Sequence, residues 1–348
     1  MLSDRGAIIL KSIVERYINQ AVPVPSQSII HSGGLEVSSA TIRNEMMRLE
    51  QNGYIIRPHT SAGSVPSDKG YRFYVETLQD IRLPANQQRM VSHLFHQVET
   101  RLDEWVRLTA SILANLAQNM AVVATARSTR ALFKHVELVS IQDRTALIVL
   151  VLQGARVRQQ LATFPQTVSQ EELSAASNHL NQSFAGLTSV QTEAKESVLN
   201  DLEKQTAAVV TAIMKSEDAI TFEDPYLEGL QFIFSQPEFA SPQHALTLAD
   251  LLEQKNLLRL ILPRDLNEQG VHVCIGQENE AQSIHHLSVI ISQYGLPGEA
   301  VGCIAVIGPT RMPYVRSIAS VHYLSDVLTR LIARLYGKDI PPETGRYN

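Results

Sequence analysis

The sequence predicts a multidomain α+β protein whose first domain is a winged helix-turn-helix. Three observations lead there. The first 80 residues run helix, short helix, glycine turn, helix, hairpin, helix, each bounded by its own turn residues. Pro84 then interrupts the chain before a long amphipathic stretch. Beyond residue 120 the apolar period shortens to that of strands, and helical segments return between the strand groups.

The first helix is capped by Ser3 or Asp4 and carries Ile9, Leu10, Ile13, Val14, Tyr17 and Ile18 at helical spacing. Pro23 and Pro25 end it. Ser26 caps a short helix with Ile29 and Ile30, and Gly33-Gly34 stops it by supplying left-handed backbone. Ser38 or Ser39 caps a third helix, whose stripe Ile42, Met46, Leu49 turns inward and whose end is Gly53. Two short strands, Tyr54-Ile55-Ile56 and Ser64-Val65, flank the loop from Arg57 to Gly63. Ser67 caps a fourth helix with Tyr71, Tyr74, Val75 and Leu78 on one side.

Residues 1–82 form the winged domain, and 83–120 a long packing helix with Val91, Leu94, Val98, Leu102, Trp105, Ile112, Leu116 and Met120 inward. Strands follow at Val136–Ile141, Ala146–Gln153 and Val157–Phe164, with turns at Gln142-Asp143-Arg144 and Gly154. Ser169 with Glu172 is a capping box. Residues 195–216 and part of Ala245–Leu262 read as helices, then Val271–Ile275, Leu287–Tyr294 and Ala300–Ile307 as strands, and Val315–Tyr336 as a closing helix. The polar, helix-rich stretch 190–245 separates two strand groups and reads as an inserted subdomain, leaving 121–189 and 246–340 as one α+β domain.

Composition excludes several classes. With 44% hydrophobic and 19% charged residues among 348, the chain buries a core and is not disordered. No apolar run approaches membrane-spanning length, so no membrane partner is expected. The start, Met1-Leu2-Ser3-Asp4-Arg5, lacks a signal-peptide pattern, and a cytoplasmic location is expected. Cys274 and Cys303, the two cysteines, make neither a disulfide scaffold nor a cysteine-rich zinc site, and both read as structural thiols in apolar runs. His285-His286 would point to opposite faces of a strand and makes a poor metal pair. Without a glycine-rich phosphate loop or a nucleophile elbow, the chain reads as neither an enzyme nor a cofactor protein.

The net charge of −5 argues against a nucleic-acid partner until it is divided along the chain. Residues 1–78 hold eight Lys/Arg and seven Asp/Glu, and the remainder holds 22 and 28. The first domain is thus nearly neutral, and placement matters more than sum. Arg43 lies on the third helix, Arg57 at the hairpin, and Lys69 and Arg72 on the fourth helix, elements that face a duplex together in a winged helix. The third helix opens Ser38-Ser39-Ala40-Thr41-Ile42-Arg43-Asn44. Arginine and asparagine there are suited to bidentate contacts with guanine and adenine, and Ser38, Ser39 and Thr41 to further hydrogen bonds. His59-Thr60-Ser61-Ala62-Gly63 at the hairpin tip suits close approach to phosphate or a minor groove. An ordinary mixed-charge surface and a solvated turn remain the competing readings.

Several longer strings go further. Ala40-Thr41-Ile42-Arg43-Asn44-Glu45-Met46, Leu49-Glu50, Gly53-Tyr54, Pro58-His59-Thr60-Ser61-Ala62-Gly63 and Pro66-Ser67-Asp68-Lys69-Gly70-Tyr71-Arg72 closely resemble the HrcA family of bacterial heat-inducible transcription repressors. Gly276-Gln277-Glu278-Asn279 and Ile307-Gly308-Pro309-Thr310-Arg311-Met312-Pro313-Tyr314 look like two further signatures of that family. The resemblance implies that the α+β domain is GAF-like and that the insertion at 190–245 is a dimerising domain. It also implies a homodimer that represses chaperone operons by binding double-stranded DNA at the CIRCE inverted repeat, with the GroEL chaperonin promoting the active form. The alternative is a winged-helix regulator whose GAF-like domain senses a small-molecule effector, although Arg311 reads more simply as an ion-pair residue beside a tight turn at Gly308-Pro309. Two positions depart from the family pattern: Ser64 stands where a basic residue is usual in the wing, and Pro25 where the first linker usually has glycine.

Overall fold

The computed structural model describes residues 2–29, 38–59, 63–98, 101–127, 131–153, 157–195, 197, 199–219, 225–240, 249, 261, 270–297 and 299–338. Ile30, Gly33, Gly34, Gly154 and nearly all of the helix expected within Ala245–Leu262 lie outside them, as do Thr60 and Ser61. The chain forms an α+β protein of two compact units, one made of 1–125, 224–295 and 302–348, the other of 126–223 and 296–301.

In the first unit, α1 (Asp4–Gln20) is capped by Ser3, whose hydroxyl accepts from the Gly6 N–H. A short 3-10 turn spans Ser26–Ile29. α2 (Ser39–Gln51) is capped by Ser38. β1 (Ile55–Ile56) and β2 (Val65–Pro66) pair antiparallel, with Ile55 opposite Pro66 and Ile56 opposite Val65. α3 (Asp68–Glu76) starts at the Ser67 cap. Ile9, Leu10, Ile13 and Val14 of α1 are fully buried with Ile29, Ile42, Leu49 and Ile55. That apolar stripe holds the module together, because most of the stability of such helices comes from packing an apolar face and little from helix propensity.

The hairpin is anchored at its base. Val24 and Ser64 exchange backbone hydrogen bonds of 2.8 and 2.9 Å. A Cβ at Gly63 would stand 2.5 Å from the Val24 carbonyl carbon, so only glycine lets these chains cross. Ser64 is therefore fully buried and not on the wing surface.

After α3 the structure corrects the long helix. Two helices, α4 (Ala85–His96) and α5 (Leu102–Ala117), stand in place of one, and Arg101 is extended between them. No proline or glycine marks the break, and the apolar spacing runs straight through it. β3 (Met120–Arg127) follows, a strand that small apolar residues did not reveal. It lies inside a five-stranded sheet whose other members are β7 (Tyr226–Glu228), β8 (Val271–Ile275), β9 (Leu287–Leu296) and β10 (Ala300–Pro309), in the order β7-β3-β10-β9-β8. β9 and β10 are buried along nearly their whole length, which is why they read as mostly apolar runs. α9 (Leu230–Phe234) follows β7, and α10 (Tyr314–Leu335) closes the unit and packs on α5. His285 and His286 lie in the turn before β9, not on a strand.

The second unit is a two-layer α/β sandwich. β4 (Phe133–Gln142), β5 (Thr145–Leu152) and β6 (Val157–Thr163) form an antiparallel sheet in chain order. α6 (Gln170–Phe184), α7 (Ser189–Ala194) and α8 (Asp201–Ala219) complete the unit. The Ser169–Glu172 capping box starts α6 as expected. Val136, Leu138, Ile148, Leu150, Leu173, Leu180, Phe184, Val210 and Met214 share one core, with Phe133 and Phe184 edge to face at 5.7 Å. This changes the expected boundaries of 190 and 245. The first strand group belongs with the helices that follow it, because the inward faces of β4 and β5 are covered by α6 and α8.

Candidate nucleic-acid interface

α2 presents the feature a groove-reading helix needs. Ile42, Glu45, Met46 and Leu49 face inward. Ser39, Ala40, Arg43, Asn44, Met47 and Gln51 are exposed and occupy one arc of the helix. The Ser38 hydroxyl accepts from the Thr41 N–H at 3.2 Å and lies 3.0 Å from the Thr41 hydroxyl. Both side chains thereby satisfy the helix start. Glu45 is buried with its carboxylate 3.1 Å from Arg48, so that acid does not face the exposed arc. Arg43 and Asn44 are exposed without a hydrogen-bond or ion-pair partner among the described residues.

The other cations divide. Lys69 is exposed, donates to the Asn52 carbonyl at 2.9 Å and lies 4.4 Å from the centre of the Tyr54 ring. That ties the start of α3 to the end of α2 and places a positive charge at their junction. Arg57 is 3.2 Å from Glu50. His59 is exposed at the described edge of the loop. Thr60 and Ser61 belong to the part outside the described residues.

Arg72 departs from the expectation. Its guanidinium forks onto both carboxylate oxygens of Glu278, at 2.8 Å for Nε, and donates to the Val273 carbonyl. That carboxylate is the main reason the Arg72 pKa is raised. The side chain thereby joins α3 to β8 and the turn that follows it. Spacing could not reveal this, since the partner lies two hundred residues away.

The strings outside the first module meet it in the same way. Gly276 adopts a left-handed backbone (φ +54°), and a Cβ there would fall 2.1 Å from Asp68 Oδ2. The Gln277 N–H donates to the same oxygen at 3.0 Å. The Asn279 amide donates to the carbonyls of Gly276 and Leu287 at 2.8 and 2.9 Å, which holds that turn in shape. Tyr314 is buried with its ring 5.8 Å from that of Tyr71. Arg311 pairs with Glu238 at 2.7 Å, as the ion-pair reading expected, and also donates to the Ile18 carbonyl at 2.7 Å, but Gly308 and Pro309 end β10 and the turn falls at Thr310-Arg311.

Among the described residues no helix is long and apolar enough to cross a membrane. A family model described as the HrcA protein C terminal domain matches residues 103–318. A heat-inducible transcription repressor HrcA of Dehalococcoides mccartyi is 51% identical over 98% of this chain and 99% of that protein. Proteins of the same name from Roseiflexus castenholzii (40% identical, 97% of this chain and 96% of that protein) and Herpetosiphon aurantiacus (37%, 97% of each) are also similar. A crystal structure of a hypothetical protein has the same fold, with a TM-score of 0.63 at 21% identity, covering 96% of this chain and 99% of that one.

Proposed function

The chain belongs to the HrcA family of heat-inducible transcription repressors, and from that premise we propose how it recognises its operator. The family is one of transcription repressors, not of enzymes. The N-terminal module is a winged helix-turn-helix, with α2 as the recognition helix and β1–β2 as the wing. The observation that carries this is the exposed arc of α2, where Arg43 and Asn44 stand unengaged beside Ser39. Arg43 and Asn44 read base edges, while Ser38, Ser39 and Thr41 set the helix start on the backbone. Lys69, Arg57, His59 and the loop residues Thr60 and Ser61 meet phosphates. Arg72 is withdrawn from this set because Glu278 holds it.

The repressor acts as a homodimer on the CIRCE inverted repeat. The outer face of the β4–β5–β6 sheet supports the dimer. Val139, Leu147 and Leu161 lie in one cross-strand row there, and Val151 and Val157 in another. Leu161 is 62% exposed and Ile141 53%, an apolar sheet face of the kind a second copy covers. The GAF-like body carries the reading head, and GroEL promotes the active form.

Footprinting of the purified protein on a duplex bearing the inverted repeat tests this reading. Two protected half-sites are expected, their centres about 10.5 bp or a multiple of that apart. Affinity should fall steeply with salt as phosphate contacts release counterions. Protection that is uniform along the duplex would overturn the reading. Binding that recovers equally after heating with and without chaperonin would remove the chaperonin from it.

A further inference from the structure

We propose that Arg311 and Glu278 are positioning residues that clamp the reading head to the body at two points, and that this clamp selects the spacing between operator half-sites. The inference rests on the dimeric, inverted-repeat reading above and adds what fixes its geometry.

The first point is the end of α1. Its last turn leaves carbonyls without helical donors, it carries no basic residue of its own, and the helix dipole makes that end negative. Arg311, reaching from the loop between β10 and α10, supplies what is missing. Nη1 donates to the Ile18 carbonyl at 2.7 Å, Nε to Glu238 at 2.7 Å and Nη2 to Gln236 at 2.7 Å. Its side chain is only 11% exposed, and the planar fork uses three edges at once. Lysine could not reproduce that.

The second point is α3. Glu278 holds Arg72 through both oxygens, and Oε2 also accepts from the Ile275 N–H at 2.8 Å. Asp68, one turn earlier on α3, accepts from Gln277. Between the two points the Tyr71 and Tyr314 rings meet in the core.

A single contact would leave the head free to swivel about it. Two, on different helices, remove that freedom. The Arg72–Glu278 pair is about a third exposed, so it contributes little stability by itself. Its effect is on geometry. In a dimer bound to two half-sites, geometry becomes affinity, because the second head engages strongly only if the first has placed it correctly.

The test uses the full-length protein and a set of duplexes with identical half-sites and spacers lengthened or shortened by one or two base pairs, together with a single half-site. The unaltered protein should prefer one spacer by about tenfold or more, roughly 1.4 kcal/mol. Arg311→Gln and Glu278→Gln should each keep single-half-site affinity but lower that preference to about threefold or less. The exchange Arg72→Glu with Glu278→Arg should recover part of the preference that Arg72→Glu alone loses. Unchanged spacer preference in both single variants would overturn the proposal. So would a loss of half-site affinity with the preference intact, because a contact that only supports folding would produce it. If the unaltered protein shows no spacer preference while binding half-sites, the clamp is refuted and the DNA reading stands. If it binds no half-site, the DNA reading falls and the clamp with it.

Discussion

Arg43 and Arg72 show how much a residue's surroundings decide. Both are arginines in the first module, and both looked available to a duplex. Arg43 stands on the exposed arc of α2, and Arg72 is forked onto Glu278. Removing Arg43 should therefore cost about 1–3 kcal/mol of operator affinity and relax discrimination at one base pair of each half-site. Competition assays with single-base operator variants read both effects, and an unaltered discrimination profile would refute a base contact. The thiols make a separate case. Cys303 is fully buried in β10, and burial pushes its pKa up to about 12. Cys274 is shifted upward in the same direction but is half-buried. At pH 8 a thiol reagent should modify Cys274 in the folded protein and reach Cys303 only on unfolding. Since the folded pKa of Cys303 is the higher one, its contribution to stability is intact below pH 9 and declines as pH rises from there towards 12. Stoichiometric labelling of both thiols in native protein would contradict this.

At the scale of elements, caps were the most legible feature. Ser3, Ser38, Ser67 and Ser169 start helices where a small hydroxyl residue precedes an apolar period. Ser169→Ala should lower the stability of the second unit by about 1 kcal/mol, read as an earlier urea transition of that unit, because the hydroxyl that accepts from the Glu172 N–H is lost while the Ser169 N–H still donates to the Glu172 carboxylate. The elements that sequence concealed have a common cause. The α4–α5 break has no local breaker, and β3 is a run of mostly small residues that could serve a strand or a buried helix. The five-stranded sheet decides the second case by pairing β3 between β7 and β10.

At the scale of the whole molecule, the acidic remainder of the chain has two structural tasks. One is to hold the N-terminal module, through Glu278 paired with Arg72 and Glu238 paired with Arg311. The other is to form the second unit, whose open sheet face we assign to the partner copy. Leu161→Asp places a charge on the β6 edge strand of that face, 62% exposed in the single chain, so folding should survive. Light scattering should then report a monomer, and operator affinity should approach that of a single half-site. A dimer that persists in Leu161→Asp would move the interface elsewhere.

By itself the sequence determined the α+β class, the order of elements in the first module, the inward stripe of α2 and the exposure of Arg43 and Asn44. Those depend on local period and capping chemistry, which act within one or two turns of the chain. Tertiary structure alone decided where the units divide, that Ser64 is buried, that Arg72 is turned towards Glu278, and that Arg311 reaches the end of α1. Each of these joins groups far apart in sequence, and neither period nor spacing carries information about which distant carboxylate or carbonyl a guanidinium will meet once the sheet has folded.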